Sequence, residues 1–273
     1  MSVSARIKEL NKRMSQKLTA RGVEASETET TTSLINKIDN LPTGQSDIDF
    51  NALTDWRYFS YYNNRNTLVE KLKYSDTANG TNFSSMFSAC SALTTIPSID
   101  TSKGVNFANM FNSCSTLKTI PPIDTSKGAN FGSMFGYCSA LKTIPPIDTS
   151  QGANFSNMFS SCSVLTSIPQ IDVSNGTNFS HMFNGCGALV NLTMTGTIKA
   201  NGLDLTPCNK LSKASITSVI NALSDTTNTL KVQLSKTAVN NAFETSSGVA
   251  DGSTSEEWTT LIATKANWTI ALS

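Results

Sequence analysis

Histidine, charge and long apolar runs are all scarce in this chain. A single His stands among 273 residues, so a Ser/His/Asp or Cys/His constellation has only His181 to be built on, beside Met182. Charged residues make up 15%, well below the roughly 25% of an ordinary soluble domain. A formal net charge of +1 gives no electrostatic attraction to nucleic acid or an anionic membrane. No apolar run approaches the roughly 18 residues of a membrane span. No Gly-rich phosphate loop of the P-loop or dinucleotide type is present. The opening MSVSARIKELNKRMSQKL is amphipathic and charged and lacks the continuous apolar stretch of a secretory signal. The expectation is therefore folding in a reducing cytoplasm, where disulfides are rare. These absences point away from an enzyme, a nucleic-acid binder and a membrane-inserted protein, and no cofactor or metal is expected.

Ser, Thr and Asn fill the space, and they are arranged in a repeat. Cys90, Cys114, Cys138, Cys162 and Cys186 follow one another at an interval of 24. Ahead of them stand Phe83, Met86 and Phe87, then Phe107, Met110 and Phe111, then Phe131, Met134 and Phe135, then Phe155, Met158 and Phe159, then Phe179, Met182 and Phe183. Full copies start at Asn82, Asn106, Asn130 and Asn154. The copy from Asn178 loses the Pro and Asp of its second half, and Leu72, Asp76, Thr77 and Gly80 are the remnant of an upstream copy. Decayed units at both ends suit a stack that needs caps.

Within a unit, Phe107, Met110, Phe111 and Cys114 fall at the spacing of one helical face, with Asn106 as N-cap. Leu117, Ile120 and Ile123 read as the inward positions of a short extended stretch. Pro121 and Pro122 stop the helix there, and Asp124, Thr125, Ser126 and Gly128 make the turn to the next unit. One such coil cannot bury its apolar side alone, but about five stacked coils can. The expected fold is an α/β repeat, a leucine-rich-repeat-type solenoid of about five 24-residue coils. N-terminal helices and a mixed α/β C-terminal cap flank it.

The Cys column invites three chemical readings. Zinc ligands come in close pairs converging on a point, whereas stacked coils set sulfurs in a row at roughly 4.8 Å, the wrong shape for a tetrahedron. Disulfides between neighbouring coils meet the distance rule, but in-register side chains point the same way and five leave one unpaired. The favoured reading is a small buried apolar side chain. The Asp column (Asp76, Asp100, Asp124, Asp148, Asp172) reads chiefly as turn structure, with cation or glycan binding as the alternative.

The pattern MFxxCxxLxxIPxIDTSxGxNFxxMF resembles the BspA-type leucine-rich repeats of bacterial and phage surface proteins. The resemblance covers roughly 68–195. Ile-Pro-x-Ile stands where many members have Leu-Asp-Leu, which implies different strand detail within the same architecture. The string LTARGVEASETETTTSLINKIDNL resembles N-terminal segments of phage tail and baseplate proteins.

The flanks divide the chain further. Residues 1–45 are expected to form a helical attachment or oligomerisation segment. Its first stripe carries Ile7, Leu10, Met14 and Leu18, and a second helix runs from about Thr31 to Leu41. That first stripe packs on its own domain or joins protomers as a short coiled coil, and assembly is favoured. An aromatic junction with Trp56, Tyr58, Phe59, Tyr61 and Tyr62 belongs to an N-terminal cap over 46–80, followed by the repeats over 81–195. The C-terminal cap is 196–273, with Ser212 capping a helix through Ile216, Val219, Ile220 and Leu223, and with a last helix and strand in SEEWTTLIATKANWTIALS. The resemblance implies a phage virion structural protein such as a tail fibre or baseplate component. It would be a homo-oligomer made in the host cytoplasm and bound to other virion proteins through its N-terminal segment. A host surface glycan or protein is the implied target. A bacterial cell-surface adhesin or an interaction scaffold is the alternative.

Overall fold

The computed structural model describes residues 77–224, 230–243, 256–265 and 267–273, with 8, 11–12, 14–16, 18–19, 23–26 and 28 near the start. The expected helix over 31–41, the aromatic junction and the upstream remnant before Thr77 lie outside the described residues.

From Asn82 onward, each unit lies parallel beside the next. Asn82 bridges to Asn106, Asn106 to Asn130, Asn130 to Asn154 and Asn154 to Asn178. The 24-residue period of the sequence is thus the pitch of a stack. Side chains consequently rest on their own copies. Phe83, Phe107, Phe131, Phe155 and Phe179 form one column of rings with centroids 5.6 to 5.8 Å apart. Phe87, Phe111, Phe135, Phe159 and Phe183 form a second, at 5.5 to 5.9 Å. Offset stacking of this kind adds about 0.5–1.5 kcal/mol per pair beyond burial. The Met and Cys columns and the Leu and Ile of each unit complete the core.

The segment that reads as a helical turn in the sequence is not a helix. It is a run of turns in which every fourth residue is left-handed: Ser85 and Ala89, Asn109 and Ser113, Ser133 and Tyr137, Asn157 and Ser161, all with φ between 54 and 63°. The reason lies in the hydrogen bonds. Amides of Met86, Ser88 and Cys90 donate within the coil, to Phe83, Ser85 and Phe87. The alternating amides of Phe83, Ser85, Phe87 and Ala89 donate to the carbonyls of Asn106, Ala108, Met110 and Asn112 on the next coil, at 2.7 to 2.9 Å. An α-helix would spend all its amides internally and leave neighbouring coils without main-chain bonds. Left-handed residues cost roughly 1–2 kcal/mol each, and they turn those donors along the stack. Asn106 meanwhile accepts from the Ala108 amide through Oδ1 at 3.1 Å, an Asx turn in place of the expected helix cap.

The opposite side of each coil is extended, but Pro97, Pro121, Pro122, Pro145, Pro146 and Pro169 carry no N–H and interrupt the ladder. A strand pair forms at the last of these prolines, where the partner strand carries none. β1 (Ser167–Asp172) pairs in parallel with β2 (Asn191–Thr195), with a register shift between Ile168 and Ile171, around Pro169.

Beyond the stack, a smaller unit follows. β3 (Leu203–Leu205), β4 (Leu230–Leu234) and β5 (Trp268–Leu272) make a parallel sheet in that order. Between them lie α1 (Lys213–Ala222), α2 (Lys236–Ala242) and α3 (Glu256–Ala263). Ser212 caps α1 and Ser235 caps α2. α1 closes the strand side of the stack. Ser215 Oγ donates to Val190 O and accepts from Leu192 N, and Ser218 Oγ donates to Leu192 O and accepts from Met194 N, at 2.9 to 3.3 Å. Two helix hydroxyls thus stand where a further strand's peptide groups belong. Lys265 Nζ and Trp268 Nε1 then bond Leu223 O and Ser224 O at the end of α1.

Two consequences are measurable. A Cβ on Gly128 would lie 2.4 Å from Phe131 Cζ and 2.9 Å from Thr125 O, so Gly128→Ala must displace a ring held in its column. Such overpacking costs about 1–3 kcal/mol, to be read as a lower urea midpoint. Ser215→Ala strips the buried Leu192 amide of its acceptor and should cost about 1–3 kcal/mol, whereas Ser163→Ala on the exposed face should stay within about 0.5 kcal/mol.

Candidate functional site

The Cys column is the strongest chemical signal in the sequence, and the structure gives it a definite role. All five ladder cysteines are buried and stand as thiols rather than disulfides. The Sγ–H of Cys114, Cys138, Cys162 and Cys186 donates to the carbonyl of Phe87, Phe111, Phe135 and Phe159 one coil back, at 3.0 to 3.1 Å. Phe87 O accepts the Cys90 amide as well, filling its second lone pair. The thiol therefore does what neither Ala nor Val can do, since it fits the space and ties two coils. Sequence spacing marks the position but carries no sign of this donor role.

Burial pushes the Cys186 thiol up to about 12 and raises Cys114, Cys138 and Cys162 likewise. The thiolate is the nucleophile and the metal ligand, so this column presents neutral, inaccessible sulfur. Cys208 extends it. That residue is also buried, with its pKa raised first by burial and then by Cys186, and its amide bonds Leu205 O as the Cys186 amide bonds Phe183 O. Cys208 and Leu211 repeat the Cys-x-x-Leu of the units, 22 residues after Cys186 and Leu189, a signal hidden by the broken period.

The Asp column lies in the turns. Asp100, Asp124, Asp148 and Asp172 each accept, through Oδ1, the amide two residues on, at 2.8 to 2.9 Å. The Ser102 hydroxyl and amide hold the Asp100 carboxyl below the usual carboxylate range, and the Ser126 amide and hydroxyl do the same for Asp124. The buried Thr101, Thr125 and Thr149 hydroxyls donate to the carbonyls of Asp124, Asp148 and Asp172. Among the described residues, no group of three or more His, Cys, Asp or Glu is placed to hold a metal ion. No described helix is long and apolar enough to cross a membrane.

Two regions remain open to a partner. One is the band running from Ser91 to Thr95 and its copies. Ser91, Ser115, Ser139 and Ser163 are all exposed, as are Thr94, Lys118, Lys142 and Thr166. The other is the last coil's turn. Its Phe179, His181, Phe183 and Gly185 amides correspond to donors that in the preceding coil reach Asn178, Ser180, Met182 and Asn184 O at 2.6 to 3.0 Å. No further coil of that shape follows, and these four amides make no hydrogen bond among the described residues. His181 is exposed and left-handed at φ 56°.

In the N-terminal stripe, Met14 and Leu18 are helical and buried, at 2% and 1% exposure within the single chain. Their side chains are covered by the chain itself. Ile7 and Leu10 lie outside the described residues.

Neutral buried thiols set a pH dependence. The Cys186 pKa rises from 9.0 to about 12 on folding, so its contribution is fully present below the unfolded value and is lost as pH rises towards the folded one. Stability should fall progressively above about pH 9, the ordinary thiol range. A thiol reagent at neutral pH should leave the native column unlabelled and modify it completely in denaturant.

The chain matches the family model described as Mycoplasma protein of unknown function, DUF285, at residues 31–144, 54–167 and 118–196. No curated protein and no solved structure matches it. The overlapping matches reach from 31 to 196, more than half of the 273 residues, and they cover the units whose Phe, Met and Cys columns build the stack. The chain belongs to this repeat family.

Proposed function

We propose that the chain is a non-catalytic display protein, a leucine-rich-repeat-type solenoid carried on the surface of a phage virion for assembly or attachment to a host. The observation that carries this reading is the exposed band. The same hydroxyl and lysine positions recur at one-coil intervals, roughly 4.8 Å apart if the coils keep strand spacing, on a core with little freedom to shift. Weak contacts to a repetitive partner such as a glycan or a protein surface then add up through multivalency.

Attachment is assigned to the segment over 1–45, on its likeness to phage tail and baseplate segments. Since Met14 and Leu18 are covered by the chain itself, the assembling surface must use other residues of that segment. A second reading is a bacterial cell-surface adhesin or an interaction scaffold built on the same repeats. Both readings share the display mechanism and differ in what carries it.

Mass spectrometry of purified phage particles and of fractionated host cells separates them. The virion reading expects the chain in particles, and cleavable there by added protease within the exposed band or its flanks. Recovery in the cell envelope without particles supports the adhesin instead. Recovery in the cytosol alone contradicts both the virion and the adhesin.

A further inference from the structure

The sequence holds four Asn-Gly pairs, at Asn79, Asn175, Asn184 and Asn201. In such a pair the glycine amide nitrogen can attack the asparagine side-chain carbon, because no side chain shields it. The attack needs an amide not already donated and a carboxamide free to turn.

Three pairs fail this condition. The Gly80 amide donates to Thr77 O at 2.8 Å, and Asn79 Oδ1 accepts from Lys103. The Gly176 amide donates to Val173 O at 3.0 Å, while Asn175 Nδ2 donates to Ser150 O. Asn201 Oδ1 accepts the Lys231 amide at 2.7 Å, which fixes the carboxamide. Asn184 and Gly185 meet it. Both are exposed, the Asn184 side chain makes no hydrogen bond among the described residues, and the Gly185 amide belongs to the unpaired row of the last coil. One coil earlier, the corresponding Ser161 amide is held by Asn184 O at 2.6 Å.

We infer that Asn184 is a site of spontaneous deamidation, selected from the four pairs by the open end of the stack. The Gly185 nitrogen bonds to Cγ of Asn184, the Cγ–Nδ2 bond breaks, and ammonia leaves with the amide proton. Water then opens the resulting cyclic imide at either carbonyl, giving aspartate or isoaspartate, and no oxidant or reductant takes part. Residues 177–187 contain no Asp or Glu, so the product places a carboxylate on a stretch that has none. The display surface thus changes its charge with age at one defined place.

The test is peptide mapping by mass spectrometry, with isoaspartate-specific methylation, of the full chain held at mildly alkaline pH in native buffer and in urea. The native protein should convert Asn184 several-fold faster than Asn79, Asn175 or Asn201, and urea should remove the difference. Asn184→Gln should leave the native protein without the fast-converting site. Conversion of any other pair at the rate of Asn184 in the native state overturns the inference. So does a native Asn184 that persists while the unfolded chain converts, or a preference for Asn184 that survives in urea.

Discussion

Everything in the repeat depends on where the alternate amides of the turn arc point. The Phe83, Ser85, Phe87 and Ala89 amides reach the next coil rather than their own, and a buried amide without a partner is too costly to persist. A coil is therefore incomplete without its successor. Once the successor is present, the aromatic columns, the thiol bonds and the Thr hydroxyl bonds all fall into register, because each is the same contact repeated at the same pitch. The ends of the stack are its weak points for the same reason. α1 meets the need on the strand side with two serine hydroxyls, and on the turn side of the last coil the exposed His181 and Gly185 keep amides that bond nothing among the described residues.

The repeat and its core columns are legible in the sequence because one coil's packing problem recurs unchanged in the next. The conformation of the arc is less so. A helix and this alternating arc both bring the side chains of Phe107, Met110, Phe111 and Cys114 to one side, so apolar spacing cannot tell them apart. The discriminating signal sits at the outward positions. Ser85, Asn109, Ser133 and Asn157, with Ala89, Ser113, Tyr137 and Ser161 four residues later, include no β-branched residue, as left-handed backbone demands. α1 with its Ser212 cap is readable from local pattern. The sealing role of Ser215 and Ser218 is not, since a hydroxyl inside an amphipathic helix looks the same whether it meets water or a strand edge. β4 and α2 carry no motif that distinguishes them from loop, and Cys208 escapes because its interval departs from 24.

A stack built this way separates its two surfaces. The interior rows are fixed by mutual contact, and even the thiols are committed to holding coils together. The exterior rows add some bonds between coils, as Thr116 does to Ser91 O and Thr166 to Lys142 O, yet their side chains stay exposed and present serine, threonine and lysine at a constant interval. This division is what the proposed display role requires, whether a virion or a cell carries the chain. The charge change inferred at Asn184 would act on the same exterior.

Amide hydrogen exchange resolved by residue addresses the central claim most directly. If alternate amides bind coil to coil, those of Phe107, Asn109, Phe111 and Ser113 should be strongly protected, since they open only when neighbouring coils part. Their counterparts at His181 and Gly185, which have no coil to meet, should exchange rapidly. Equal protection along the last coil and the interior ones, or fast exchange of the interior donors in the folded protein, would contradict the account.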